Sequence, residues 1–151
     1  MTIKRAIFPG SFDPFTNGHA DIVNRSLRLF DEIIIAMGKN MQKQRMFSHE
    51  LMIEKISALY KDYPQVSVRT YEGLTAEFAK ETGAGYLIRG LRNTTDFEYE
   101  NTICQANKYL NKDLETIFLI TTPAYAAISS SIIRELYKYK GNAEGLLPYQ
   151  L

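Results

Sequence analysis

Four stretches of the sequence carry groups suited to holding phosphate. The first is Pro9-Gly10-Ser11-Phe12-Asp13-Pro14-Phe15-Thr16-Asn17-Gly18-His19. Gly10 and Gly18 permit backbone angles and close approaches that other residues resist. Ser11 offers a hydroxyl, and His19 falls in the first turn of a helix. Unpaired backbone N–H groups and the helix dipole favour an anion there. An imidazole in that position can donate a hydrogen bond to a phosphate oxygen; the blander alternative is a capping turn with a surface histidine. The second stretch, Gly38-Lys39-Asn40-Met41-Gln42-Lys43-Gln44-Arg45, gathers three positive charges, with Lys39 and Lys43 the candidates for phosphate and a solvated loop the alternative. The third is Arg89-Gly90-Leu91-Arg92, followed on a helix by Glu100 and Asn107. Arginine suits bidentate phosphate contact, and glycine lets the backbone approach; the alternative pairs the arginines with Asp96 or Glu98. Seven residues of helix put Glu100 and Asn107 on one face together with Ile103, bordering the core or forming a polar edge. The fourth stretch, Tyr125-Ala126-Ala127-Ile128-Ser129-Ser130-Ser131-Ile132-Ile133-Arg134, offers three hydroxyls and free N–H groups at a helix start, good chemistry for a triphosphate. Plain N-capping needs only one of the serines.

The elements that must position these groups alternate along the chain. Ala6-Ile7-Phe8 reads as a strand, and Ala20, Val23, Leu27 and Phe30 recur at helical spacing from about Gly18. The apolar run 33–37 reads as a strand covered on both faces. Ser48 caps a second helix with Met52, Ile53, Ile56, Leu59 and Tyr60 along its stripe, ended by Pro64. A strand over 66–70, a helix over 75–82 stopping at Gly83, and a strand over 86–88 follow. A helix over 95–110 has Phe97, Ile103 and Leu110 near one stripe; a strand over 116–120 precedes a last helix, capped by Ser129 or Ser130, that runs to about Tyr139. This alternation predicts one α/β domain over 1–151, with a doubly wound five-stranded parallel sheet and right-handed crossovers. In such sheets ligands gather at the carboxyl ends of the strands, where the winding reverses.

The totals exclude several classes. With 18 basic and 17 acidic residues the net charge is +1, so nothing global points to nucleic acid or a membrane surface. No apolar run approaches the ~20 residues of a transmembrane helix, and the N-terminus has no signal-peptide pattern. Cys104 is the single cysteine, so no internal disulfide forms; it reads as a packing residue in a cytosolic protein. His19 and His49 are the only histidines, and no Cys/His cluster supplies a protein metal site. Gly83-Ala84-Gly85 leads into a strand instead of following one, no P-loop is present, and the serines lack a nucleophile elbow.

Phe8-Pro9-Gly10-Ser11-Phe12-Asp13-Pro14 with Thr16-Asn17-Gly18-His19 resembles the opening of the phosphopantetheine adenylyltransferases. Leu87-Ile88-Arg89-Gly90-Leu91-Arg92, then Asp96-Phe97-Glu98-Tyr99-Glu100, resembles that family's second signature, and Ile128-Ser129-Ser130-Ser131 its third. The likeness covers nearly the whole chain in order. It implies a Rossmann-like nucleotidyltransferase fold. It also implies transfer of the adenylyl group of ATP to 4'-phosphopantetheine, giving dephospho-coenzyme A and pyrophosphate, with Mg2+ required. By the same resemblance, Ser11, Lys43, Thr75 and Arg89 meet the acceptor. ATP meets Ser11, Phe12, His19, Gly90, Leu91, Arg92 and Glu100, together with Tyr125, Ala126, Ala127, Ile128, Ser129, Ser130 and Ser131. A homohexamer and feedback inhibition by coenzyme A are further implications. Three features depart from the family pattern: Ser11 where threonine is common, Gln44 after Lys43, and an end at Leu151 where relatives continue into a final helix.

The acceptor phosphate, with a second pKa of ~6, is ionised near neutral pH. It needs neither a strong base nor a covalent intermediate, so catalysis reduces to positioning and charge stabilisation. His19, Lys43 and Arg92 are the candidates for stabilising the α-phosphate, and magnesium is expected to arrive with the nucleotide. The competing readings are a sister enzyme acting on nicotinate mononucleotide or glycerol phosphate, and a non-catalytic nucleotide or coenzyme A sensor. The block from Arg89 to Glu100 opposes the former, and retention of His19, Lys43 and both arginines opposes the latter.

Overall fold

The computed structural model describes residues 2–151. Strands β1 (Arg5–Gly10), β2 (Glu32–Gly38), β3 (Val66–Tyr71), β4 (Tyr86–Leu91) and β5 (Glu115–Ile120) form one parallel sheet in the order β3-β2-β1-β4-β5. Helices α1 (Asn17–Ser26), α2 (His49–Leu59), α3 (Thr75–Thr82) and α4 (Thr94–Leu110) make the connections, and α5 (Ser130–Lys138) follows β5. The winding moves outward from β1 to β3 and then jumps back to β4 on the other side of β1. The switch point therefore lies beyond Gly10 and Leu91, the carboxyl ends of β1 and β4.

Burial on both faces follows from side-chain alternation along each strand. Phe8, Ile33, Ile35, Met37 and Ile88 pack with Val23 of α1 and with Met52 and Ile56 of α2. Their neighbours Ile7, Ile34, Ala36 and Leu87 point to the other face and meet Ala76, Phe78 and Ala79 of α3. Fully burying each large apolar side chain stabilises the fold by ~1.5–3 kcal/mol. A third, smaller cluster joins Ile133 of α5 to Ala143 and Leu147 of the C-terminal segment.

The expected elements are all present, with shifted ends. β1 continues to Gly10, and β4 to Leu91, so Arg89 and Gly90 lie within the strand instead of after it. α1 ends at Ser26, leaving Leu27 and Phe30 beyond it, although both still pack on the core. α5 is capped by Ser129, α2 by Ser48, and α3 stops at the left-handed Gly83 (φ 70°). Of the apolar stripe read on α4, Phe97 is 46% and Leu110 37% exposed, whereas Glu100 and Asn107, read as bordering the core or forming a polar edge, are the buried residues of that helix. The face of α4 turned inward is polar because it borders a crevice.

Candidate active site

Two hollows open at the switch point and share Pro9, Gly10, Ser11, Arg89 and Glu100. The larger, about 570 Å3, includes Ser11, Lys43, Thr75 and Arg89 in its wall. Those are the four residues expected to meet the acceptor. The smaller, about 300 Å3, includes Ser11, Phe12, His19, Gly90, Arg92 and Glu100. From the far side come Tyr125, Ile128, Ser129, Ser130 and Ser131. Leu91, Ala126 and Ala127, expected with that group, are not in its wall. Of the three residues expected to act on the α-phosphate, His19 and Arg92 share the smaller hollow and Lys43 stands in the larger one.

His19 helps to cap α1 and lines the smaller hollow. Its backbone N–H donates to Thr16 Oγ1 (3.3 Å), and its ring Nδ1 accepts from the Thr16 N–H (3.0 Å), a reciprocal box that starts α1. An Nδ1 that accepts carries no proton, so the neutral ring bears its hydrogen on Nε2. The ring lies 5.0 Å from Phe12 and 5.4 Å from Phe15, centroid to centroid. Withdrawal from water, with Arg89 and then Arg92 nearby, lowers its pKa from 6.5 to about 3. His19 is therefore a neutral donor.

Both arginines have partners. Arg89 grips Glu100 through two nitrogens, with Nε 2.6 Å from Oε2, and also donates to the Pro9 carbonyl. The alternative that paired the two arginines with Asp96 or Glu98 holds for Arg92, which takes Asp96, but Arg89 takes Glu100, which is 7% exposed. Arg92 donates to Asp96 at 3.0 and 3.3 Å. Burial by itself raises the Asp96 pKa, but hydrogen bonds and charge from Arg92, with Arg89 behind, outweigh that and hold it low. The three serines are also engaged. Ser129 Oγ accepts from the Ile132 N–H (3.2 Å), Ser130 Oγ donates to Pro14 O (2.8 Å), and Ser131 Oγ accepts from Arg134 (3.1 Å). Thr75 and Tyr71 share a hydroxyl contact of 2.8 Å.

The loop between β1 and α1 is held by side chains from distant parts of the chain. Arg45 donates to the carbonyls of Ser11 and Phe12, Arg134 to Asp13 (2.8 Å), Ser130 to Pro14, and Tyr149 to Phe15. The Asp13 carboxylate, 3% exposed, accepts the N–H groups of Met46 (3.1 Å) and Phe47 (2.8 Å). Asp13 and Arg134 were not singled out as site residues, and their spacing carries no signal, since each acts on a segment more than 30 residues away. Cys104, expected to pack, is half-buried in the wall of the larger hollow beside Ile103 and Asn107. Among the described residues no three His, Cys, Asp or Glu side chains come together to hold a metal ion.

Comparison with known proteins follows the same lines. Residues 7–136 match the family model described as cytidylyltransferase-like. The chain is 63% identical over 148 residues to a phosphopantetheine adenylyltransferase of Cytophaga hutchinsonii, covering 98% of this chain and 99% of that one. It is 50% identical over 146 residues to the enzyme of the same name from Flavobacterium johnsoniae, covering 97% and 95%. A bifunctional NMN adenylyltransferase/ADP ribose pyrophosphatase from Francisella tularensis superposes with a TM-score of 0.71 at 13% identity, over 97% of this chain and 45% of that one. That last likeness concerns the fold. Identity at these levels along almost the full length means that the chain belongs to the phosphopantetheine adenylyltransferase family, within the cytidylyltransferase-like group.

Proposed function

We propose that this protein is an enzyme that transfers the adenylyl group of ATP to 4'-phosphopantetheine, releasing pyrophosphate and forming dephospho-coenzyme A. The observation that carries the reading is the meeting of two hollows at Ser11 and Arg89, in a chain so similar to enzymes of that name. Two hollows with a shared rim suit a reaction that joins two substrates directly. With ATP in the smaller and the acceptor in the larger, the acceptor's phosphate oxygen faces the α-phosphorus. The oxygen attacks, the bond to the β-phosphate oxygen breaks, and pyrophosphate leaves.

The residue roles follow from chemistry. His19 supplies a neutral Nε2–H donor to an α-phosphate oxygen, and Arg92 and Lys43 add positive charge from the two sides. Arg89 acts as half of a neutral pair with Glu100, which fixes the rim. Donors pre-aimed at developing charge are the most effective kind. Magnesium fits as a companion of the nucleotide. Glu100 and Asp96, the carboxylates in the smaller hollow, are already engaged by Arg89 and Arg92, so this donor set favours an ion carried by phosphate and water. When bound, the ion neutralises phosphate charge.

We propose further a homohexamer, feedback by coenzyme A at the same hollows, and a cytoplasmic setting. Support for assembly comes from Tyr109, 86% exposed, and Ile120, 75% exposed, on α4 and the edge strand β5. Among the described residues no helix is long and apolar enough to cross a membrane. The deciding experiment is pyrophosphate release from ATP and magnesium with and without 4'-phosphopantetheine, with the product checked as dephospho-coenzyme A. Acceptor-dependent release is expected. Nucleotide binding without release favours the sensor reading, and release only with another phosphate acceptor overturns the substrate assignment.

A further inference from the structure

Arg45 stands on the loop between β2 and α2, two residues after Lys43, and reaches across to the loop between β1 and α1. Its Nη2 donates to the Phe12 carbonyl at 2.9 Å, its Nη1 to the Ser11 carbonyl, and its Nε to the Phe47 carbonyl at 2.9 Å. One planar fork thus joins the loop that carries the expected acceptor lysine to the loop that carries the expected nucleotide contacts. A planar guanidinium can hold three carbonyls at once; a lysine ammonium offers no such fixed fork.

The two carbonyls flank an unusual residue. Phe12 has φ 44°, in the left-handed region that a side chain with a Cβ disfavours by ~1–2 kcal/mol. Its ring closes the position by packing on Phe8 (5.2 Å) and Phe15 (5.3 Å) as well as on His19. The consequence for the site follows from peptide geometry. In a trans peptide unit the C=O and N–H point in opposite directions. The Ser11 carbonyl and the Phe12 N–H belong to one unit. Drawing that carbonyl toward Arg45 turns the Phe12 N–H away from Arg45. That N–H has no hydrogen-bond partner among the described residues, and Phe12 lines the smaller hollow.

We propose that Arg45 is a positioning residue: its fork fixes the carbonyls of Ser11 and Phe12, and so aims the Phe12 N–H and the Ser11 hydroxyl at the point where the two hollows meet, in register with Lys43. The inference rests on the adenylyl-transfer reading for its effect on rate, but not for its effect on the loop. Arg45 stands in the wall of the larger hollow, but its three nitrogens are committed to backbone carbonyls, so its loss changes alignment more than binding. A displacement of about 1 Å at reacting groups costs on the order of 100-fold.

The test compares Arg45→Ala and Arg45→Lys with the full-length wild type. It measures kcat, both KM values, and backbone order at residues 11–13 from 15N relaxation, after circular dichroism has established folding. The expected result for both variants is a kcat lower by about 100-fold, KM values within about threefold, and lower order at Ser11 and Phe12. Full recovery of kcat in Arg45→Lys would mean that charge alone matters and would overturn the proposal. So would a raised KM with kcat kept, which marks a direct substrate contact, and so would unchanged loop order. If Arg45→Ala fails to fold, Arg45→Lys carries the comparison. If the wild type releases no pyrophosphate with 4'-phosphopantetheine, the activity reading falls; loop order then decides Arg45, supporting the proposal if reduced and overturning it if unchanged.

Discussion

His19 is neutral because its ring is packed among phenylalanines and lies beside two guanidiniums, and because Thr16 claims its Nδ1. Two predictions belong to this residue. Removing one donor aimed at developing charge typically costs 10²–10³ in turnover, so His19→Ala should lower kcat by about that factor; a variant within about threefold of wild type would remove His19 from the mechanism. The second concerns pH. The folded pKa of about 3 lies below the ordinary 6.5, so between these values the unfolded chain binds a proton that the folded chain refuses. The contribution to stability is therefore full above pH 6.5 and is lost progressively as pH falls toward 3. In His19→Asn that part of the slope should vanish. Urea midpoints measured between pH 7.5 and pH 4 check this, and parallel curves for the two proteins would refute it. The sequence singles out the histidine, which lines the smaller hollow, but not its protonation state, because that depends on how the phenylalanines close around the ring and on arginines from β4 and the loop after it.

At the scale of elements, the loop between β1 and α1 is the part whose shape matters most. A Cβ on Gly10 would lie 2.8 Å from two atoms of the Phe12 ring, which is wedged between Phe8, Phe15 and His19 and has nowhere to go. Gly10→Ala should therefore destabilise the protein by about 1–3 kcal/mol through overpacking and lower turnover with it. Unchanged urea midpoint and kcat would show that the ring yields. At the start of α1, Thr16→Ala removes the cap that accepts the His19 N–H, at a cost of about 1 kcal/mol. A midpoint unmoved by that change would mean the carbonyl and ring contacts suffice to start the helix. The helix starts at Ser48 and Ser129 follow from local chemistry, as caps do; the cap at Thr16 lies two residues before the start read at about Gly18. The spacing of Glu100 and Asn107 puts them on one face of α4, and that face is the inward one; that they are its buried residues, and not the apolar Phe97 and Leu110, depends on the polar crevice containing Arg89.

For the molecule as a whole, the order β3-β2-β1-β4-β5 creates a single reversal of winding, and every expected contact except Leu91, Ala126 and Ala127 lines a hollow there. The outer face of α4 and β5 is the complement of that arrangement. Phe97, Tyr109, Leu110 and Ile120 remain in solvent in one copy of the chain. If copies meet there, sedimentation should give a mass several times 17.3 kDa, and Ile120→Lys should lower it. A single-copy mass for the wild type would rule out the assembly.

Strand–helix alternation, the caps, and the residue types in the loops after β1, β2, β4 and β5 are properties of short stretches, and the sequence by itself determined them. Local backbone chemistry and side-chain period act within a few residues, so they leave a readable trace. The pairing of Arg89 with Glu100, the span of Arg45 between two loops and the anchoring of Asp13 join segments separated by 11 to 34 residues along the chain, and the neutral state of His19 depends on burial and on arginines from β4 and the loop after it. Only the tertiary structure decided those, because the energy of a contact depends on distance and solvent exclusion, and neither exists until the sheet has brought the segments together.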